Sequence, residues 1–188
     1  MSDYTVIDDI TDTLLAVLRA NTGGLIAPDH ISARSPADVG TDDLPLLSLF
    51  LYQAGENKYL KNQDMQVIDA ARLRYPPLSL QLFYLLSAHA RQPETEQRLM
   101  GRAMQILYDC SNISGSLLQG SLAGTSEELV VVINPLTIDD MNKLWSLFGS
   151  KAYKLSVGYQ ISTAMIDSTR EQASQRVIQQ TVQYTVLE

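Results

Sequence analysis

The histidines and the single cysteine are the side chains with which this chain could bind a transition metal or attack a substrate. The sequence contains two histidines, His30 and His89, and one cysteine, Cys110. Neither histidine has a second histidine or a carboxylate at the i, i+4 spacing that places two ligands on one helix face. Cys110 has no CxxC partner and follows a predicted helix, whereas reactive thiolates are stabilised at helix starts. The sequence therefore predicts no metal site, no cofactor and a buried or half-buried thiol.

A serine nucleophile or a pair of carboxylates could still support hydrolysis. Ser121 lies in the text GSLAG, which does not match the GxSxG turn of serine hydrolases and is predicted to be a loop. Asp8 and Asp9 diverge by about 100° around a predicted helix, so they are expected to lie on a solvated face and not to share an ion. No glycine-rich phosphate-binding motif is present. We predict that the protein is not an enzyme, and a small acidic hydrolase with an unrecognised site is the alternative.

Length and charge restrict the class of protein further. The 188 residues, 45% of them hydrophobic, fit a single domain over residues 1–188 that buries its own core. The net charge of −7 argues against a nucleic-acid-binding protein, which would need a basic patch. No apolar run is long enough to span a membrane. The start, MSDYTVIDDI, lacks the pattern of a signal peptide, so we expect synthesis in the cytoplasm.

Two dense apolar runs, residues 44–52 and 78–86, are predicted to form the centre of the core. In the second run, leucines and Tyr84 at every second position occupy one side, and Ser79, Gln81, Phe83 and Leu85 occupy the other. The first run is apolar on both sides, which is typical of a strand that is covered on both faces. Pro76 and Pro77 allow a strand to begin after them but prevent a helix from passing through.

The remaining pattern predicts three helices and several further strands. Apolar spacings of three and four indicate helices at residues 3–20, capped by Ser2 or Asp3, at 93–109, and at 138–148, capped by Thr137 with Asp140 three residues later. Strands are predicted at 26–34, 65–73, 117–118, 129–133, 153–165 and 174–187. The 129–133 strand is expected to be buried, 153–165 alternates most strictly, and 114–128 is expected to be a mobile loop. These elements predict an α+β domain with a mixed or mostly antiparallel sheet.

Four blocks of sequence, in this order along the chain, carry a resemblance to a known family. They are LSLFLYQAGENKYLKN, RYPPLSLQLFYLL, LMGRAMQILYD and LWSLFG followed by YKLSVGYQIS. The chain resembles the N-terminal domain of tail-terminator, or cap, proteins of extracellular contractile injection systems, the phage-tail-like particles of the Photorhabdus virulence cassette and antifeeding prophage type. The resemblance implies a homo-hexameric ring at the distal end of sheath and inner tube, which ends their polymerisation and ties them together during contraction.

The resemblance also implies contacts with sheath and inner-tube subunits, in a particle that can be released from the cell. One hypothesis is that residues 176–187 pair with a sheath strand, although an ordinary edge strand within the domain explains the same alternation. A second places residues 55–63 and 114–128 at subunit or tube contacts. The candidate interface residues are Asn57, Lys58, Tyr59, Lys61, Asn62, Val182, Tyr184 and Val186. Another adaptor or an assembly chaperone of the same particle remains an alternative.

Overall fold

The computed structural model describes residues 4–40, 44–61, 63–69 and 71–173. The helices are α1 (Val6–Asn21), α2 (Pro93–Asp109) and α3 (Ile138–Ser146). The strands are β1 (Ile31–Ser32), β2 (Leu46–Glu56), β3 (Gln66–Val67), β4 (Arg72–Arg74), β5 (Leu78–His89), β6 (Asn112–Ser114), β7 (Glu128–Asn134), β8 (Ser156–Ile166) and β9 (Glu171–Ala173). Within this part of the chain, every helix is too short or too polar to cross a membrane.

The predicted α+β fold with a mixed sheet is confirmed. Six strands form the large sheet in the order β1-β2-β5-β8-β7-β6, and β3, β4 and β9 form a small second sheet. Within the large sheet, β1 runs parallel to β2 and the other pairs are antiparallel. The two apolar runs of the sequence are β2 and β5, which pair side by side, and β5 is one of the two central strands of the large sheet.

The large sheet is covered by helices on both faces, and this explains the patterns of β2 and β5. Alternate residues of β5 such as Leu82, Tyr84 and Leu86 pack with α1 and α2, while Leu85 packs with Trp145 and Phe148 of the α3 layer. Full burial of one such apolar side chain stabilises the fold by about 1.5–3 kcal/mol. The central position of β5 therefore follows from its apolar residues on both faces.

A β-bulge in β8 makes the predicted strict alternation of residues 153–165 wrong in its second half. The pairing of β5 with β8 shifts between Leu80 and Leu82, because these residues lie opposite Ala164 and Ile161. One extra residue in β8 moves the following side chains to the other face. Ala164 therefore belongs to the same core as Tyr159 and Ile161, in place of Thr163.

The predicted N-terminal cap is confirmed in α3 and is wrong in α1. Thr137 accepts from the Asp140 backbone N–H while the Asp140 side chain accepts from Thr137, so the predicted capping box of α3 is present. These hydrogen bonds lower the pKa of the exposed Asp140 carboxyl. Helix α1 begins at Val6, so its N-cap is Thr5 and the predicted cap by Ser2 or Asp3 was wrong.

Four weaker strand predictions also need correction. The predicted strand 26–34 is a 3-10 turn followed by the two-residue β1, and 65–73 is split into β3 and β4. Residues 117–118 form no strand, since β6 lies earlier, at Asn112–Ser114. Strand β7 is buried only in part, because Val132 and Ile133 are 52% and 46% exposed. Short segments of this kind depend on distant partners and not on their own pattern.

Candidate assembly surfaces

The histidines lie in separate structural environments. The Nδ1–H of His30 donates to the carbonyl oxygen of Pro45 at 2.7 Å. His89 is buried at the end of β5, with its Nε2 hydrogen-bonded to the hydroxyl of Ser87 at 2.9 Å. Among the described residues, no group of three His, Cys, Asp or Glu side chains could hold a metal ion. Both histidines are therefore explained by local hydrogen bonds.

Asp9 holds the glycine-containing loop against α1, which contradicts its predicted solvated position. The backbone N–H of Ser121 donates to the Asp9 carboxylate at 3.2 Å, and the Ser121 hydroxyl donates to the same oxygen. The Thr13 hydroxyl accepts from the backbone N–H of Gln119 at 3.0 Å. The loop also buries Leu118 and Leu122, each 2% exposed, so the predicted loop is present and is packed against α1. Ser121 serves as a structural donor in this arrangement.

Replacing Gly120 with alanine should lower the free energy of unfolding by about 1–2 kcal/mol, because Gly120 has a positive φ of 58° and alanine is strained there. A Cβ atom would also lie 1.8 Å from Oδ1 of Asp9, so the carboxylate would have to move away from Ser121. Urea unfolding measures the difference. Gly124→Ala is the control, since Gly124 has a φ of 76° with nothing near its Cβ position. Equal losses in both variants would refute a role for Asp9.

Four of the predicted interface residues lie in or beside a largely exposed segment that we call the arm, which comprises the turn Lys58–Leu60 and the strands β3 and β4. Asn57 is buried and caps the turn, because its Oδ1 accepts from the Tyr59 N–H at 3.1 Å. The Asn57 backbone N–H donates to the carbonyl of Ser79 at 2.8 Å, and its side-chain amide donates to the carbonyl of Ser162. Asn57 therefore fixes the turn to the large sheet.

The turn presents an aromatic side chain between two lysines. Tyr59 is 92% exposed, and Lys58 next to it is exposed as well. Lys61 makes an ion pair with Glu56 at 3.2 Å, and both side chains are open to solvent. The other candidates, Asn62, Val182, Tyr184 and Val186, lie outside the described residues, as does the predicted strand 174–187.

The arginines of the small sheet are engaged by carboxylates. Arg72 pairs with Asp69 at 2.8 Å and with Glu171 at 3.3 Å, and Arg74 lies 3.9 Å from Glu171. Hydrogen bonds from the Ala71 backbone and from Arg72 lower the pKa of the Asp69 carboxyl. The two pairs with Glu171 join β4 to β9, and the pair with Asp69 holds the turn before β4, so both arginines have structural roles.

Exposed apolar side chains mark surfaces that sequence reasoning missed. Tyr108, at the end of α2, is 79% exposed and lies near the exposed Val132 and Ile133 of β7. Ile138 and Leu147 are exposed at the two ends of α3. Tyr108, Val132 and Ile133 belong to apolar patterns that also contain buried residues, so spacing alone does not indicate that they face solvent.

Comparison with known proteins gives consistent results for family and fold. Residues 9–180 match the Pvc16 N-terminal domain. The sheath/tube terminator of a PVC extracellular contractile injection system, in its extended state, is 21% identical, with a TM-score of 0.68 over 99% of this chain and 66% of the other. The tube-terminating cap of the anti-feeding prophage is 18% identical, with a TM-score of 0.66 over 95% of this chain and 61% of the other. The chain thus spans about two thirds or less of these structures. No curated protein matches the sequence.

Proposed function

The chain belongs to the Pvc16 N-terminal domain family, and from this premise we propose that it acts as a structural cap at the end of a contractile injection particle. The observation that carries the proposal is the match of nearly the whole described fold to a sheath/tube terminator. The second match, to a tube-terminating cap, supports the same role. In this role the protein binds other proteins and catalyses no reaction.

The proposed mechanism is the closure of a ring of six copies on the distal end of both cylinders. A ring of subunits joined head to tail covers the last layer of tube and sheath, so no further subunit can be added. The same ring holds the two cylinders together when the sheath contracts. The fold provides a rigid platform for these contacts, because helices cover both faces of its central sheet.

The solution mass of the purified chain, alone and with purified tube or sheath subunits, tests this function. We expect a hexamer, or a monomer that those subunits convert into a ring, measured by light scattering. A chain that stays monomeric and binds neither tube nor sheath subunits would contradict the proposed cap function. A protein that binds subunits but leaves the finished particle would instead be an assembly chaperone.

Deleting residues 179–188 tests whether the end of this sequence joins the sheath. We propose that residues 176–187 add a strand to a sheath subunit, with Val182, Tyr184 and Val186 on the apolar side, since main-chain hydrogen bonds give such pairing its affinity. The shortened chain should remain folded by circular dichroism and lose sheath binding. Replacing Thr181 and Thr185 with valine is the matched control, because it leaves Val182, Tyr184 and Val186 in place and keeps β-branched residues, which favour strands. Undiminished binding by the shortened chain would refute the pairing.

A further inference from the structure

An apolar groove lies between the end of α2 and the outer edge of β7. Its volume is about 590 Å³, and its walls include Tyr108, Val132 and Ile133, all of which are substantially exposed. The buried hydroxyl of Tyr159 lies among the lining residues and has no hydrogen-bond partner. An exposed apolar groove that contains an unpaired polar atom is typical of a binding surface that its partner has not yet covered.

The backbone of β7 also lacks a neighbour along part of this groove. β8 pairs with residues Val131 to Asn134 on one side, while β6 pairs only with Glu128 to Val130 on the other. Beyond the hydrogen bond from Val131 to the Ser111 carbonyl, the described strands leave that edge open. Open apolar strand edges favour association with another chain.

The arm of the same protein carries a side chain that is suited to such a groove. Tyr59 extends into solvent from a turn that Asn57 fixes by a hydrogen bond. A tyrosine on a fixed turn has only two side-chain torsions to order on binding, so it can contribute strongly to an interface. The polar tip of a tyrosine also suits a groove that contains the unpaired hydroxyl of Tyr159.

The charges of the two surfaces are complementary. The turn places the exposed Lys58 directly beside Tyr59. Asp109 is the one charged residue among the described residues that line the groove, and it is exposed. A lysine at the rim of an interface selects a partner with an acid at the matching position.

The two surfaces are built from different elements of the fold. The arm lies on the chain between β2 and β5, whereas β7 lies beyond β8 on the other side of β5. A contact between two different surfaces of identical subunits is head-to-tail, and such contacts close into a ring when the rotation between copies permits.

We propose that the arm of one copy docks in the groove of the next, with Tyr59 between α2 and β7 and with Lys58 beside Asp109. This contact rests on the proposed ring and identifies the surfaces that build it. The partner of the groove is therefore a second copy of the same chain.

Charge reversal tests the contact in the full chain, with assembly on purified sheath and tube subunits followed by light scattering. Lys58→Asp and Asp109→Lys should each weaken ring formation at least tenfold, and the double variant should restore most of it. Tyr59→Ala should weaken assembly by a similar factor. Arg91→Asp is the matched control, because it reverses an exposed charge that belongs neither to the arm nor to the groove.

Three outcomes would overturn the proposal. If the natural chain forms rings and all variants assemble as well as it does, the arm and groove are not the contact, while the cap function stands. If Lys58→Asp weakens ring formation but Asp109→Lys does not, the arm does not dock in the groove and binds another protein. If the natural chain forms no ring with sheath and tube subunits, the contact and the proposed function both fail.

The position of the contact can be checked by cross-linking two differently tagged chains, both carrying Cys110→Ala. One carries Leu60→Cys beside the tyrosine, and the other carries Val132→Cys in the groove. A short bis-maleimide should join the two tags in assembled samples. Leu147→Cys, exposed on α3, is the control and should give at least tenfold less product. Equal yields for Val132 and Leu147 would refute the assigned position.

Discussion

Replacing Gly158 with alanine is expected to lower the free energy of unfolding by about 2–3 kcal/mol, the upper part of the range for overpacking a well-filled site. A Cβ atom on Gly158 would lie 2.6 Å from the backbone carbonyl oxygen of Asn134 and 3.0 Å from the side chain of Leu136. The first neighbour is backbone within a paired strand, so it cannot move without disturbing the sheet. Glycine is required here because the backbone of Asn134 approaches closely. The conformation of Gly158 is not the reason, since its φ is not in the positive range that favours glycine.

The expected damage lies between β7 and β8. Gly158 is paired with Asn134, the last residue of β7. Pushing these strands apart would weaken the hydrogen bonds that hold β7 and would displace Leu136, which packs beside the aromatic residues of α3. The variant should therefore also alter the groove along β7.

Urea unfolding at constant m-value measures the loss in Gly158→Ala. Gly55→Ala is the matched control, because Gly55 also lies in a strand of the large sheet and nothing lies near its Cβ position. The control should be neutral or slightly stabilising, since alanine reduces the entropy of the unfolded chain. Similar stability in the two variants would show that β7 and β8 can separate at little cost.

The central strands and the start of α3 could be predicted because the residues that determine them are close together in the sequence. The alternation of β5 and the two apolar sides of β2 each lie within a dozen consecutive residues. The capping box of α3 needs only Thr137 and Asp140, three positions apart. In these cases the residues that interact are also neighbours in sequence, so their spacing alone predicts the structure.

The errors arose where distant residues determine the local structure. Asp9 holds a loop through Ser121, which lies 112 positions away, so neither residue indicates the contact by its own surroundings. The bulge in β8 depends on its register with β5, and this moves Ala164 into the core in place of Thr163. No spacing rule within β8 could predict that shift.

The candidate surfaces were predicted only in part for the same reason. Asn57 was named as a candidate interface residue, and the structure shows that it caps a turn that presents Lys58 and Tyr59 to solvent. The groove was missed because Val132 and Ile133 belong to an apolar run that looked fully buried. Whether a strand is an edge is decided by the order of the sheet, which single-sequence patterns do not contain.

His89 should make the stability of the protein depend on pH between about 6.5 and 4. Burial of the imidazole, together with the charge of the nearby Lys154, lowers the pKa of His89 from 6.5 to about 4. Glu96 acts in the opposite direction and Lys151 in the same direction as Lys154. The Trp145 ring also lies beside His89, with the ring centroids 6.5 Å apart, so this side of the imidazole is apolar.

The sign follows from proton uptake by the two states. Below pH 6.5 the unfolded chain protonates His89, whereas the folded chain keeps it neutral until the pH approaches 4. The unfolded state then binds more protons, so stability is complete above pH 6.5 and falls as the pH decreases through this window. The loss should reach about 3 kcal/mol at pH 4, since the two pKa values differ by about 2.5 and one pKa unit corresponds to about 1.4 kcal/mol.

Urea unfolding at half-unit steps from pH 7.5 to pH 4 should show this decline in the natural chain and a flatter profile in His89→Gln. The slope is the readout, because the substitution also changes packing beside Trp145 and so lowers stability at every pH. His30→Gln is the control, because it removes the other histidine of the sequence and leaves His89 in place. Below pH 4, protonation of Asp69 and Asp140 adds a separate loss, because hydrogen bonds lower both pKa values in the folded chain. A profile in His89→Gln as steep as that of the natural chain between pH 6.5 and 4 would mean that His89 is not buried as a neutral side chain.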